Sequence, residues 1–342
     1  MKKHKICKIL LVILAIFLCV AFYELLGICV AYKKQPEVSN TTKKETKNGS
    51  WNECSENTER AVIIEKNPEA LLQRVRLIKN AKKEIILSTF AFQSDESGKL
   101  ILGALHDAAD RGVHIRLLVD GMESWIDMEG NPYFYGLSSH ENVEIKLYNK
   151  ANPLKPWKMM GRMHDKYLIA DGKRYILGGR NTYNYFLGDF PGHKNYDRDV
   201  LVVCDEPEKE NSVNQLSEYF ETIWNQEDSD YFHDNKKLAN RKSVKNAVLE
   251  LQNGYQKYFE ENKERICDTD YTDETFETEK IALVSNPIHT GSKEPVVWYQ
   301  LGELMKNAKD RVKIHTPYII CNDMMYNTSV SYTHLRAHET LS

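Results

Sequence analysis

Met163-His164-Asp165-Lys166-Tyr167-Leu168-Ile169-Ala170-Asp171-Gly172, followed by Gly178-Gly179-Arg180-Asn181, decides how the rest of the chain is read. Residues 163–170 alternate and are rich in strand formers, Asp171-Gly172 is a two-residue turn signal, and 173–178 returns, so the stretch predicts a β-hairpin. Side chains on a strand repeat every two residues, which puts His164 and Lys166 on one face. With Ala170 paired to Lys173, His164 lies opposite Gly179, Lys166 lies opposite Leu177, and Asn181 projects on the same face. An imidazole, a fixed positive charge and an amide donor then converge beside a glycine pair, whose missing side chains let a bulky group approach the backbone.

This string resembles the phospholipase D superfamily. His164, Lys166 and Asp171 match its His-x-Lys-x4-Asp element, and Gly178-Gly179 and Asn181 follow as they do in many members. Residues 196–203, with Leu216, Phe220 and Trp224 after them, also resemble the segment that succeeds the motif there. The resemblance extends over roughly residues 60–327. It implies an α/β module with a mixed sheet flanked by helices, two such halves sharing one site, and chemistry with no metal or other cofactor. It also implies roles. His164 is the nucleophile or the partner acid, Lys166 and Asn181 stabilise charge on the non-bridging phosphate oxygens, and Asp171 supports the turn. Gly178 and Gly179 fall on the substrate-binding side.

Upstream of the hairpin, residues 68–83 keep helical spacing through Leu71, Leu72, Val75, Ile78 and Ala81, and 84–92 read as a strand. Residues 98–111 repeat the helical pattern, and 113–119 and 143–148 read as further strands. Downstream, 199–203 form a strand and 213–224 a helix presenting Leu216, Phe220 and Ile223. Alternating strand and helix predicts an α/β fold with a largely buried sheet. His106 and His114 sit in these elements as structural or solvent-facing residues.

The chain's 342 residues allow one large domain or two, and a hydrophobic share of 42% is enough for a sizeable core. Its net charge of −3 excludes little. Residues 9–32 are apolar apart from Glu24 and, as a helix at about 1.5 Å per residue, suffice to cross a bilayer core of about 30 Å. We read them as a transmembrane anchor behind a basic cytoplasmic end, residues 1–8, with the catalytic domain outside the cytoplasm. Lys33, Lys34, Lys43, Lys44 and Lys47 oppose that orientation. Residues 33–60 are a polar linker. Three of the seven cysteines, Cys7, Cys19 and Cys29, lie in or beside the anchor, while Cys54, Cys204, Cys267 and Cys321 show no zinc spacing.

The first phospholipase D-like domain is expected over 61–227, a charged helical connector over 228–280 and the start of a second domain over 281–330. The acidic run from Asp268 lacks the glycine and spacing of a calcium loop and reads as solvated connector. A second module is signalled by a repeat. Lys79-Asn80-Ala81-Lys82 recurs as Lys306-Asn307-Ala308-Lys309, and Thr89 as Thr316, both at an offset of 227. Thr316-Pro317-Tyr318 resembles the family's second-half strand end. The same offset puts a second motif histidine near position 391, so the chain is expected to be incomplete and inactive by itself. Residues 331–342 break the pattern and look like an artefactual tail, which excludes His334 and His338 as ligands or catalysts.

Nine basic residues between Lys146 and Arg180 are expected to steer phosphate-bearing substrates. Trp157, Met159 and Met160 before the motif, and Tyr183, Tyr185, Phe186, Leu187 and Phe190 after it, read either as an apolar lip over a lipid headgroup or as core. The leading function is a membrane-anchored phosphodiesterase or phosphatidyltransferase, resembling cardiolipin synthases, acting on phospholipid through a phosphohistidine. The alternatives are a metal-independent nuclease of the same superfamily, with nucleic acid as partner, and a non-catalytic membrane-bound binding module. The sequence leaves the oligomeric state open.

Overall fold

The computed structural model describes residues 2–34, 36–49, 59–204, 206, 211–233, 235–314 and 323–333. Two helices come first, α1 (Lys2–Tyr32) and α2 (Asn40–Asn48). A module follows in the order β1 (Glu59–Ile64), α3 (Asn67–Asn80), β2 (Glu84–Thr89), α4 (Glu96–Asp110), β3 (His114–Asp120), α5 (Gly121–Asp127), α6 (Pro132–Ser138) and β4 (Val143–Tyr148). The hairpin strands are β5 (Tyr167–Ala170) and β6 (Arg174–Gly178), succeeded by β7 (Asp199–Cys204), α7 (Ser212–Trp224) and β8 (Ser229–Tyr231). The remainder holds α8 (Lys242–Glu261), α9 (Lys263–Cys267), β9 (Phe276–Glu277), α10 (Val296–Asn307) and α11 (Asp323–Thr333).

Among the described residues nine strands form one mixed sheet in the order β8-β4-β3-β2-β5-β6-β7-β1-β9. β2, β3 and β4 run parallel because helices connect them, and β5 to β7 run antiparallel because tight turns and a loop do. The two-residue period divides β2 between two cores. Ile85 and Leu87 face α3 and α4, whereas Ile86 joins Leu118, Tyr167, Ile169, Tyr175 and Val202 beneath α7. The helical spacing read in α3, α4 and α7 is the spacing that the structure buries.

The hairpin forms with a different register. Asp171 and Gly172 both take positive φ, 55° and 62°, and the Lys173 N–H donates to Ala170 O at 3.0 Å, so the expected turn is present. Pairing then resumes at Ala170↔Arg174 and continues to Tyr167↔Leu177, leaving Lys173 as an extra residue. The expected cross-strand pairs His164–Gly179 and Lys166–Leu177 do not form. The Gly178 N–H instead donates to Lys166 O at 3.1 Å. The strand begins only at Tyr167, and residues 161–166 approach it without regular structure.

Residues expected to be a solvated connector pack onto this module. β8 extends the sheet beside β4, and β9 pairs with β1. α8 buries Leu251, Tyr255 and Phe259 against α4, close enough that a methyl on Gly103 would stand 2.7 Å from Leu251 O. The acidic run docks on α3. Arg76, 1% exposed, stacks its guanidinium 3.9 Å from the Tyr271 ring and bonds Glu274 at 2.9 Å. A cation buried on the helix face requires such partners, and the acidic segment supplies them.

α10 ends at Asn307 as α3 ends at Asn80, the separation that the repeat gives. Residues 308–314 form no strand, and Thr316-Pro317-Tyr318 lie outside the described residues. α11 takes in the first three residues of the expected tail, and the rest of it, with His334 and His338, lies outside them too. Cys204 is buried and Cys267 exposed, whereas Cys54 and Cys321 lie outside the described residues. α1 is one continuous helix whose apolar side chains are exposed, long and apolar enough to cross a membrane.

Candidate functional site

Asp120, at the end of β3, anchors the approach to β5. Its fully buried carboxylate caps α5 through the Met122 N–H, accepts from the Met163 N–H at 3.0 Å, and pairs with Arg162, whose Nε lies 2.9 Å away. With residues 162 and 163 held, His164 projects past Phe90, its ring 4.8 Å from the phenyl centroid and exposed on its outer side. Lys166 turns inward. It is 5% exposed, its ammonium donates to His164 O at 2.7 Å, and it sits 5.3 Å from the Phe90 ring.

Burial, and then the neighbouring Lys166 charge, push the His164 pKa below its ordinary value, so the ring is neutral near neutral pH. Burial brings Lys166 down to about 8, with Asp165 and Asp197 opposing the shift. Lys166 therefore keeps its proton at pH 7 but holds it less tightly than a surface lysine. Asp165 is fixed by Tyr219 of α7, whose hydroxyl donates to it at 2.8 Å; burial, and then that carboxylate, push the phenol's pKa up.

His164, Lys166 and Gly178 line one cleft of about 400 Å³, with Arg162, Asp165 and Tyr219. Its other wall is residues 283–286, Lys293 and Val297, the segment entering α10. The remaining expected site residues lie elsewhere. Asn181 is buried, and its Oδ1 accepts from the Ala91 N–H at 3.2 Å. Gly179 makes room for a carboxylate rather than a substrate, since a methyl there would meet Asp197 Oδ2 at 2.1 Å. Gly178 is likewise filled from behind by Asp199, whose buried carboxylate pairs with Arg74 at 2.9 Å and Arg180 at 3.3 Å. Asp171 stands at the far end of β5, roughly 20 Å of extended chain from His164. There it accepts from the backbone N–H groups of Lys82, Lys83 and Glu84.

The basic stretch is dispersed. Lys146 and Lys150 bond the carbonyls of Trp224 and Tyr231, Lys158 pairs with Asp228, and Arg180 is in the core, so Arg162 and Lys166 alone of the nine line this cleft. The expected lip divides as well. Phe186 and Leu187 are core residues, with Tyr183, Tyr185 and Phe190 against them, whereas Trp157 and Met160 are exposed. His106 is buried beside Asp110, and His114 is exposed between Glu84 and Glu144. Among the described residues no three His, Cys, Asp or Glu side chains gather as a metal ion would need. Sequence reasoning missed Asp197, Tyr219 and Lys293. Asp197 lies in the segment 196–203 that follows the motif, but only the fold shows that it faces Gly179.

A buried lysine behind a neutral histidine in a cleft suits attack on an anionic phosphorus centre. Residues 74–224 match the family model described as cardiolipin synthase, PLD-like domain. This segment is a phospholipase D-like domain. The chain is 28% identical over 292 residues to an uncharacterized Helicobacter pylori (strain J99) protein, covering 76% of this chain and 54% of that one. It is 30% identical over 154 residues to cardiolipin synthase C of Escherichia coli (strain K12), covering 41% of this chain and 31% of the synthase. The solved phosphatidylserine synthase of Haemophilus influenzae aligns with a TM-score of 0.53 at 14% identity, over 86% of this chain and 64% of that one, a likeness of fold. The family description and this Escherichia coli relative both name cardiolipin synthase. The chain spans about half the length of the Helicobacter relative.

Proposed function

We propose that this chain is the membrane-anchored portion of a phosphatidyltransferase or phospholipase D-type phosphodiesterase that works through a phosphohistidine at His164. The observation that carries the reading is the pairing of a neutral imidazole with the buried Lys166 ammonium in one cleft. The imidazole nitrogen attacks phosphorus, the bond to the leaving alcohol breaks, and Lys166 offsets charge gathering on the non-bridging oxygens. The departing alkoxide takes its proton from a second acid, which the family resemblance supplies from a second histidine motif. Water or an acceptor alcohol then releases the phosphoryl group. Asp171 serves by holding the hairpin against the α3–β2 turn, and Asn181 by holding the backbone at Ala91, next to the Phe90 that His164 packs on.

The apolar helix and the cardiolipin synthase relative favour phospholipid over nucleic acid, and the basic residues ahead of the helix favour a domain outside the cytoplasm. Protein that carries the second histidine motif in addition to residues 1–342 is assayed on phospholipid vesicles and single-stranded DNA side by side. We expect lipid turnover, an acid-labile phosphoryl adduct on His164, and loss of both in His164→Asn. Cleavage of DNA with no lipid turnover would sink the reading. A stalk at 36–49 that labels only from the cytoplasmic side reverses the topology.

A further inference from the structure

We propose that the loop over residues 151–160 inserts into the membrane boundary beside α1, placing Leu154, Trp157 and Met160 among phospholipid headgroups and upper acyl chains. The proposal rests on the reading of α1 as a membrane anchor and adds to it a second, independent membrane contact next to His164.

α1 is not a detached tether. Along its last turns the less exposed positions are Glu24, Gly27, Ile28, Ala31 and Tyr32, which recur at three or four residues as one stripe. The only charge in the apolar run, Glu24, is on that stripe rather than among the exposed side chains. The loop lies against it. The Tyr23 hydroxyl donates to Leu154 O at 3.0 Å, and Gly27 is so close to Pro156 that an added methyl would stand 2.4 Å from the proline ring. The end of the helix is fastened separately, with the Tyr32 hydroxyl donating to Thr290 O at 2.9 Å and the Ser292 hydroxyl to Ala31 O at 3.1 Å.

This packing sets a depth. At about 1.5 Å of rise per residue, Gly27 lies roughly 8 Å and Tyr23 roughly 14 Å along the helix from Tyr32, where the apolar run ends. A helix that crosses the bilayer with Tyr32 at the boundary carries the loop below that boundary by a comparable distance. The loop's composition matches such a place. Leu154 is 78%, Trp157 46% and Met160 56% exposed, an arrangement unfavourable in water and favourable at an interface, where tryptophan is at home. From Met160 the chain reaches His164 in four residues, so a loop held in the headgroup layer brings the cleft to its substrate's level.

The test uses the full chain in vesicles of equal phosphatidylcholine and phosphatidylglycerol containing brominated phospholipid. Subtracting the fluorescence of Trp157→Phe from that of the wild type isolates the Trp157 signal. For a residue within about 5–10 Å of the headgroup boundary we expect roughly half of that signal to be lost to bromines high on the acyl chain, with less loss to bromines at the chain end and none to aqueous iodide. Leu154→Trp in the Trp157→Phe background should behave alike and guards against a local effect of one site. Quenching by iodide and not by brominated lipid, in protein that still resists alkaline carbonate extraction, overturns the loop insertion and leaves the anchor standing. Extraction by carbonate overturns both.

Discussion

Two displaced pKa values set the pH behaviour expected of the site. In the proposed mechanism the nucleophile works as neutral imidazole, and His164 is held below the usual histidine value of about 6.5, so turnover should persist into mildly acidic pH. Lys166 is the proposed cation; its charge is complete well below about 8 and lost as pH rises through that value, so turnover should fall there. Lys166→Arg keeps a charge at any accessible pH and should move the alkaline limb upward by at least about one unit. A limb unmoved in that variant would remove Lys166 from the assignment. His164→Asn should lower turnover by more than about a thousandfold with a melting temperature little changed, because the residue is exposed and its ring rests edge-on against Phe90. Asp171→Ala should do the reverse. It removes the acceptor of three backbone N–H groups, an expected loss of about 1–3 kcal/mol in denaturant unfolding, with turnover per folded molecule nearly kept.

The elements show where the module's boundary runs. α8 approaches α4 through Gly103, and its buried side chains complete the core that α3, α4 and α6 begin. Gly103→Val is expected to cost about 1–3 kcal/mol or more, since the branched side chain meets the α8 backbone rather than a flexible side chain. A melting temperature equal to the wild type would show that α8 is a separable connector. The hairpin carries a related lesson. Its turn follows from Asp171-Gly172, but the extra Lys173 shifts pairing by one residue, and a one-residue shift exchanges the faces of every partner.

At the scale of the whole chain, the phospholipase D-like domain is joined to an apolar helix on one side and to the segment leading into α10 on the other. The cleft lies between the domain and that segment, so the wall opposite His164 comes from residues more than a hundred positions downstream. Full-length protein should sediment with membranes through carbonate washing, and deletion of residues 2–32 should release most of it to the soluble fraction, scored by quantitative blotting. Equal retention of both forms would move the anchoring to some other part of the molecule.

Local pattern alone determined the α/β class, the helices α3, α4 and α7 with their buried faces, the turn at Asp171-Gly172 and the nearness of His164 to Lys166, because each depends on spacing within a few residues. The apolar helix was legible for the same reason: length and composition suffice. What the sequence could not settle were relations between distant residues. That Asp197 and Asp199 fill the space at the glycine pair, that Asp120 anchors residues 162–163, and that the acidic run from Asp268 docks on Arg76 all depend on contacts made across the sheet. Charge in a sequence reads as solvated by default. Only burial of an opposing charge on another element, decided when the layers pack, turns it into structure.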